Sequence, residues 1–340
     1  MNKILHLLDE EFALDYLKRK ALPLYPQFSD IIRVKIRPYK KMIWETTYHV
    51  VIGFDVHFKD SEGEIWRLPL VCSAHSNEPR ENVYKALHYL WFKKFNDPEI
   101  ALPRPLFFSA GFNGSFYEAI AGENLLYYIK QNNIPEVEKI IKSSARLFAR
   151  LHATPVEPEA NFNPLNAHIK TVIPGVDNIF KEMEERYPGR YSDDLRRFYD
   201  YFISQEEIYF ATKPDLKLIH GDAHPENIIK TGEDSIGIID FTDFCLGDFA
   251  RDLGTFTQQL EYKITTKIGD YDLAERMKKL FLETYLTAAG LDKDQNLENR
   301  MKLYYNWTAI RTATYLFLKF DPHQEQGDAL FQKVKQNLSL

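Results

Sequence analysis

His220-Gly221-Asp222-Ala223-His224-Pro225-Glu226-Asn227, followed closely by Ile238-Ile239-Asp240-Phe241, is the stretch whose reading decides the fold. It places one carboxylate in a tight loop, an amide oxygen five positions later, and a second carboxylate at the end of an apolar run. Ile228-Ile229-Lys230 and Ile236-Gly237-Ile238-Ile239 read as the two arms of a hairpin, turning through Thr231-Gly232-Glu233-Asp234-Ser235. In an antiparallel hairpin the start of the first arm lies beside the end of the second. Asn227 and Asp240 are therefore expected to be neighbours, with Asp222 in the loop just before them.

Three oxygen-bearing side chains at one end of a hairpin suit a hard cation. Mg2+ takes a few carboxylate or carbonyl oxygens and completes its shell with phosphates and water. Asn227 and Asp240 fit as metal ligands, which leaves Asp222 to orient and deprotonate a hydroxyl. A loop Asp, an Asn five residues on and a later Asp are the working parts of a phosphoryl-transfer site. Taken singly, each residue reads as an ordinary turn or cap; the combination carries the argument. His220 and His224 have a spacing that would suit zinc on a helix, but Gly221 and Pro225 argue against a helix there. His220 is expected to be a structural hydrogen-bonding group.

The rest of the chain bounds this reading. Its 340 residues exceed one average domain, and 44% hydrophobic with 14% aromatic content supports a large core and excludes disorder. A net charge of -6 offers no basic footprint for nucleic acid or for an anionic membrane. Cys72 and Cys245 are too few for a disulfide framework, so a reducing, cytoplasmic setting is expected. The first eleven residues are broken by acids and do not read as a signal peptide. No apolar run is long enough to span a bilayer.

Strand patterns dominate the first third. Ile31–Ile36 alternates, Tyr48–Phe58 is β-branched and aromatic, and Trp66–Cys72 follows the turn Asp60-Ser61-Glu62-Gly63. The first two strands are expected to turn at Arg37-Pro38-Tyr39-Lys40-Lys41. A helix should begin near Pro79, with Val83, Leu87, Leu90 and Trp91 on one face. After Gly122 the pattern becomes helical, from Leu125 through a stripe of Val137, Ile140, Ile141, Ser144, Leu147, Phe148 and Leu151 that ends at His152. Residues 155–200 read as an irregular insertion with short helices. Asp248 is the expected N-cap of a helix over Phe249–Leu260. The chain thus divides into an α+β pair: a β-rich N-lobe over residues 1–118, and a larger, mainly helical C-lobe over 119–340 that holds the hairpin, 216–245. Tyr304, Trp307, Thr308, Arg311 and Tyr315 share a helical stripe that reads as packing, with an aromatic wall for a cationic acceptor as the alternative.

These motifs resemble the aminoglycoside phosphotransferase and choline kinase-like family, a branch of the protein-kinase-like fold. The resemblance rests on His220-Gly221-Asp222, Asn227, Ile239-Asp240-Phe241, Gly247-Asp248 and Asp252-Leu253. Phe116-Tyr117-Glu118 with Gly122-Glu123-Asn124-Leu125 resembles the family's hinge, and Leu147 to His152 its helix end. It implies a two-lobed kinase-like fold and transfer of the γ-phosphoryl of ATP or GTP, with Mg2+, to a hydroxyl of a small molecule. In that frame Asp222 is the base, Asn227 and Asp240 hold metal, and Glu118, Ala119 and Ile120 meet the nucleotide base. Residues 155–215 and the C-terminal helices form the acceptor site. The short interval from Asp240 to Gly247-Asp248 leaves no room for an activation loop, which favours a small-molecule acceptor over a protein.

The chain departs from the family at the phosphate anchors. The third strand, Leu68 to His75, has no lysine, and Ser73 stands where the phosphate-pairing lysine is expected. No glycine-rich loop joins the first two strands. Lys40 or Lys41 is expected to replace the missing charge. The alternative is a pseudokinase, a nucleotide-binding or regulatory protein with a decayed phosphate site. Without the strand lysine, Glu81 is expected to act within its own helix, and His75 to be a strand-end histidine.

Overall fold

The computed structural model describes residues 2–157, 160–172 and 174–339. Met1, Pro158, Glu159, Ile173 and Leu340, which fall within the expected lobes and the 155–200 stretch, lie outside the described residues. The chain forms two compact units, Met1–Gly122 with Gly237–Thr242, and Glu123–Ile236 with Asp243–Leu340.

In the first unit α1 (Glu10–Lys20) is capped by Asp9, whose carboxylate accepts the Phe12 amide at 2.8 Å. Three long strands follow, β1 (Phe28–Ile43), β2 (Tyr48–Asp60) and β3 (Ile65–His75). Then come α2 (Glu81–Phe92), the short β4 (Ile100–Ala101), β5 (Arg104–Ser109) and β6 (Gly114–Glu118). The five-stranded antiparallel sheet has the order β1-β2-β3-β6-β5. Alternation decides its faces. Val50, Ile52, Phe54, Val56 and Phe58 of β2, with Cys72 and Ala74 of β3, join Ala13 and Leu17 of α1 in one core. The odd-numbered residues of β2 point the other way.

The expected turn at residues 37–41 is not there. Those residues lie inside β1, paired with Gly53 back to Val50 of β2, and the reversal comes at Trp44–Thr47, where the Trp44 amide bonds the Thr47 carbonyl at 2.9 Å. Pro38 invited the error, because proline usually ends a strand. β1 is an edge strand, where a missing N–H costs no ladder bond, and the register shifts beside Pro38. Lys40 and Lys41 therefore lie on adjacent, opposite-facing positions of one strand.

The second unit opens with β7 (Glu123–Asn124), α3 (Leu125–Lys130) and α4 (Ile134–Ala153). The helical pattern that starts at Leu125 breaks once, at Asn132, whose φ of 53° lies in the left-handed region. The α4 stripe from Val137 to His152 is buried as its spacing requires. α5 (Val176–Arg186) and α6 (Ser192–Ala211) follow. The 155–200 stretch holds the 11-residue α5, but its end, from Ser192, is the start of the 20-residue α6, a longer regular helix than expected. Its Leu195, Phe198, Tyr199 and Phe202 pack inward, a spacing that the surrounding prolines and charges concealed.

β8 (Lys217–Ile219) and β9 (Ile228–Lys230) flank the Asp222 loop, and β9 pairs with β7. The Thr231 and Gly232 amides bond the Ser235 carbonyl at 3.0 and 3.3 Å, which closes a turn at the expected place. β10 (Ile236–Ile238) carries the chain into the first unit, and β11 (Cys245–Gly247) pairs with β8. Four helices complete the unit: α7 (Ala250–Lys267), α8 (Tyr271–Ala289), α9 (Gln295–Leu318) and α10 (Gln324–Leu338). α7 packs on α8 and α9, α4 on α8, and α10 on α9. Among the described residues no helix is long and apolar enough to cross a membrane.

Candidate active site

The loop after β8 is shaped by buried charge. Gly221 has φ 81°, and a Cβ there would lie 2.3 Å from the Asp243 carbonyl oxygen, so only glycine fits. The amides of His220 and Gly221 donate to the two carboxylate oxygens of Asp252 at 2.7 and 2.9 Å. Asp252 sits in the first turn of α7 with no exposed surface, and His152 Nε2 meets it at 3.1 Å. Burial alone would raise the Asp252 carboxyl; His152, His220 and the amides outweigh it and hold the carboxyl below the usual range. His152 is itself fixed by the Tyr285 hydroxyl at 2.8 Å. Arg251, fully buried beside Asp252, donates to the Gly221 carbonyl at 2.8 Å and to the Asn166 carbonyl. The family-like helix end at His152 and the Asp252 motif thus converge on one task, clamping the backbone that presents Asp222.

Asp248 also braces. It accepts the Ala250 amide at 3.0 Å and an Arg300 guanidinium. The helix starts one residue later than expected, with Phe249 rather than Asp248 at the N-cap, although the Asp248 carboxylate still satisfies the first helical amide.

Asp222 is half-buried and points toward His224, whose Nε2 lies 3.4 Å from its carboxylate. The other ring nitrogen of His224 meets Glu226 at 2.9 Å, and Lys263 Nζ meets Glu226 at 2.5 Å. For His224, burial alone would lower the pKa, but Asp222 and Glu226 carry it up to about 10. For Asp222, burial pushes upward and His224 more than reverses it, so the carboxylate stays ionised. Asn227 is buried, and its amide nitrogen donates to the Asp222 carbonyl at 3.0 Å. That bond spends the nitrogen and leaves the amide oxygen as the ligand-capable atom. Both ring nitrogens of His224 face carboxylates, and His220 is fully buried. Among the described residues no group of three His, Cys, Asp or Glu side chains is arranged to hold a metal.

Asp222, His224, Glu226 and Lys263 line a cavity of about 580 Å3 in the second unit, closed by the faces of α7 and α9. Thr308, Arg311 and Tyr315 of the α9 stripe reach this cavity, whereas Tyr304 and Trp307 are buried in the core. Of the three aromatic residues in that stripe, Tyr315 alone lines the cavity, together with Tyr262 of α7.

The remaining expected residues lie in the first unit. Lys40, Val51, Ser73 and Ser115 form one row across β1, β2, β3 and β6. Residues paired in this way share a face, so Lys40 emerges on the Ser73 face, two strands away. Lys41 pairs with core-facing Val50 and points to the opposite face. Lys40 Nζ donates to His49 Nε2 at 3.2 Å, since an ammonium can only donate. Burial and the neighbouring Lys40 and Arg80 push His49 down to about 4. Lys40 itself is lowered by burial and by Arg80, and raised in part by Asp240 and Glu78.

Arg80 is the residue the sequence reading missed. It is only 5% exposed. Its amide donates to the Asn113 carbonyl at 3.2 Å, and its carbonyl accepts the hydroxyl of Ser115, the end of the Lys40 row. The guanidinium meets Glu78 at 3.2 Å and keeps an unpartnered Nε among the described residues. Its one sequence signal is position, directly before α2. Glu81, by contrast, pairs with Lys85 of its own helix at 3.1 Å, and His75 Nδ1 accepts the Asn77 and Glu78 amides at 3.2 and 3.0 Å.

Asp240 has φ 64°, a left-handed backbone in a non-glycine residue, and its carboxylate accepts the Thr242 amide at 3.3 Å. Such local bonds let aspartate adopt this region, and strain of this kind collects at functional sites. The Thr242 carbonyl is tied to Asn82 of α2 at 2.9 Å. At the end of β6, Ala119 spends its amide on the Pro69 carbonyl at 2.8 Å, and Glu118 accepts the Tyr25 hydroxyl at 2.8 Å. Gly237 backs this segment: a Cβ there would lie 2.2 Å from Ile120 Cδ1. Asp222 and Asn227 are thus brought together in the second unit, while Lys40, Ser73, Asp240 and residues 118–120 belong to the first.

An aspartate loop clamped by a helix-borne Asp lies beside a polar cavity, and comparison with known proteins gives the class, a phosphotransferase. Over residues 70–295 the chain matches the APH model, the phosphotransferase enzyme family, and it belongs to that family. No curated protein sequence matches it. Among solved structures it is similar to a choline/ethanolamine kinase family protein from Mesorhizobium loti, with a TM-score of 0.58, 14% identity, and coverage of 97% of this chain and 95% of that one. It is also similar to the choline kinase LicA from Streptococcus pneumoniae, with a TM-score of 0.55, 13% identity, and coverage of 96% and 98%. For the GDP complex of aminoglycoside 2'-phosphotransferase-IIIa the values are 0.54, 14%, 96% and 99%. These likenesses establish the two-lobed, protein-kinase-like α+β fold.

Proposed function

We propose that the chain transfers the γ-phosphoryl group of ATP or GTP to a hydroxyl of a small molecule bound beside Asp222. The observation that carries this is the Asp222 loop itself, a carboxylate kept ionised by His224, held on a buried clamp and opening on a cavity. The acceptor oxygen bonds to the γ-phosphorus as the β–γ bridging bond breaks. The hydroxyl proton passes to Asp222, and the nucleoside diphosphate leaves. A carboxylate with so low a pKa is a weak base. That suits a loose transition state, in which orienting the nucleophile matters more than removing its proton early.

Asn227 and Asp240 would hold Mg2+, which when bound neutralises charge on the donor phosphates. The free amide oxygen of Asn227 and the left-handed presentation of Asp240 fit hard-oxygen ligation. Lys40 and Arg80 would take the role of the absent strand lysine, and Lys41 would not. Glu118, Ala119 and Ile120 would meet the nucleotide base through their backbone. Because the Ala119 amide is occupied, the Ile120 amide is the donor of choice.

The experiment is Mg2+-dependent nucleotide hydrolysis or transfer by the purified chain, with Asp222→Ala and Asp240→Asn in parallel. Asp222→Ala should lower turnover by about 10²–10⁴ while leaving nucleotide binding intact. Asp240→Asn should remove the Mg2+ dependence of binding. Ser73 in place of a lysine favours one other reading, a nucleotide-binding regulatory pseudokinase. Binding without any turnover would support it, and absence of Mg-nucleotide binding would sink the enzyme reading.

A further inference from the structure

We infer that the cavity beside Asp222 selects an anionic acceptor, a hydroxyl-bearing small molecule that also carries a carboxylate or phosphate group. This rests on the phosphotransfer reading and adds the chemical class of its acceptor.

The charge on the wall comes first. Four basic side chains, Lys263, Lys267, Arg311 and Lys319, line the cavity against two carboxylates, Asp222 and Glu226. Both carboxylates already face a partner. Glu226 lies between Lys263 and His224, and Asp222 faces His224. Arg311 adds to the field that holds Asp222 ionised, but Arg311, Lys267 and Lys319 form no salt bridge among the described residues. An ammonium group entering this cavity would lose water and find no uncommitted counter-charge, whereas an oxyanion would find three cations.

Recognition of a cation by Trp307 is closed off as well, which leaves the exposed ring of Tyr315 on the wall. Trp307 is 1% exposed, and its ring is already covered by Arg251 at 5.0 Å and Arg311 at 4.8 Å. Tyr262 carries Lys263 at 5.8 Å. Contact with Trp307 restrains the Arg311 guanidinium, and a restrained planar fork recognises carboxylate or phosphate through two parallel bonds.

The helices order these groups by depth. Along α7, Thr255, Gln259, Lys263 and Lys267 repeat every four residues, from a buried hydroxyl to an exposed ammonium. Along α9, Thr308 and Thr312 lie one turn apart, and half-exposed Lys319 follows at the helix end. Thr255 bonds Thr308 at 3.0 Å and Gln259 bonds Thr312 at 2.7 Å, so the floor is a set of hydroxyls and amides bridging the helices. A polar floor with a basic rim suits a polyhydroxylated compound bearing an acidic group.

The test is equilibrium binding by calorimetry without nucleotide, using gluconate, glucose 6-phosphate, glucose, glucosamine and choline. Each is titrated into the wild-type chain, Arg311→Gln and Lys267→Gln. At least one of the two anions should bind ten times more tightly than glucose, with glucosamine and choline weaker than glucose. Gluconate ahead of glucose 6-phosphate identifies a carboxylate; the reverse identifies a phosphate. Arg311→Gln should weaken the anion at least tenfold and leave glucose unchanged. Lys267 is exposed, so Lys267→Gln keeps the fold and should give a smaller loss of the same kind. Tighter binding of choline or glucosamine, no anion binding, or anion binding indifferent to both substitutions would overturn the inference. Mg2+-dependent ATP hydrolysis by the same preparation separates the two levels. Its absence beside selective anion binding would sink phosphotransfer alone, and its presence beside a preference for choline would sink the acceptor class alone.

Discussion

Replacing Asp252 with asparagine should loosen the loop that presents Asp222 without changing the volume of the core. The carboxylate accepts three donors, the His220 and Gly221 amides and His152. Asparagine keeps one acceptor oxygen and turns an NH2 group toward a donor. One charge-assisted bond is lost, worth about 1.5–3 kcal/mol, and a donor is left buried without a partner at about 1–3 kcal/mol more. Breaking a buried charged cluster generally costs about 3–5 kcal/mol, the same range. At roughly 2–4 °C per kcal/mol for a unit of this size, the melting temperature should fall by of order 10 °C. Catalysis should fall further than stability implies. A displacement of Asp222 by about 1 Å is enough for a hundredfold loss. The assay is thermal unfolding together with kcat measured well below the variant's melting point. A melting temperature within about 2 °C of wild type together with an unchanged kcat would refute the clamp.

Two further outcomes are expected. Lys40→Gln and Arg80→Gln should each weaken Mg-nucleotide binding about 10- to 100-fold, one charge-assisted phosphate contact apiece, while Lys41→Gln has no effect. Calorimetry with ATP and GTP reads this, and equal effects at positions 40 and 41 would contradict the strand-row geometry. Glu206 is 2% exposed and accepts the Ile169 amide at 2.8 Å and the Tyr304 hydroxyl at 3.0 Å; burial pushes its pKa up to about 7 despite them. Between about 4.5 and 7 the folded state keeps this proton while the unfolded chain releases it, so stability falls as pH rises through that window and levels off above it. The fall is worth up to about 3 kcal/mol, and Glu206→Gln should flatten that slope in urea titrations at pH 5 and pH 8. An identical slope in the variant would move the pH dependence to another group.

Much of the site was legible because its residues are close in the chain. The tight turn at Gly221, the amide at Asn227 and the return at Thr231–Ser235 follow from short-range chemistry that sequence states directly. Helical periodicity likewise marked the α4 stripe down to His152. The errors had local causes. Pro38 read as a break because a sequence does not say which strand is an edge, and α6 was hidden by prolines upstream of it. Arg80 and Arg251 carry no motif at all. They matter because burial leaves their charge close to particular partners, Glu78 in one case and the Gly221 carbonyl in the other.

The sequence by itself determined the reaction class, since a phosphotransfer loop needs fixed residue types at fixed short spacings. Tertiary structure alone decided where the cations lie. β pairing sent Lys40 to the Ser73 face and Lys41 to the other, because neighbouring side chains on a strand alternate. The packing of α7 against α9 set Lys263, Lys267, Arg311 and Lys319 around one cavity from positions up to 56 residues apart. Charge at a site depends on distance in space, and only the fold converts separation along the chain into that distance.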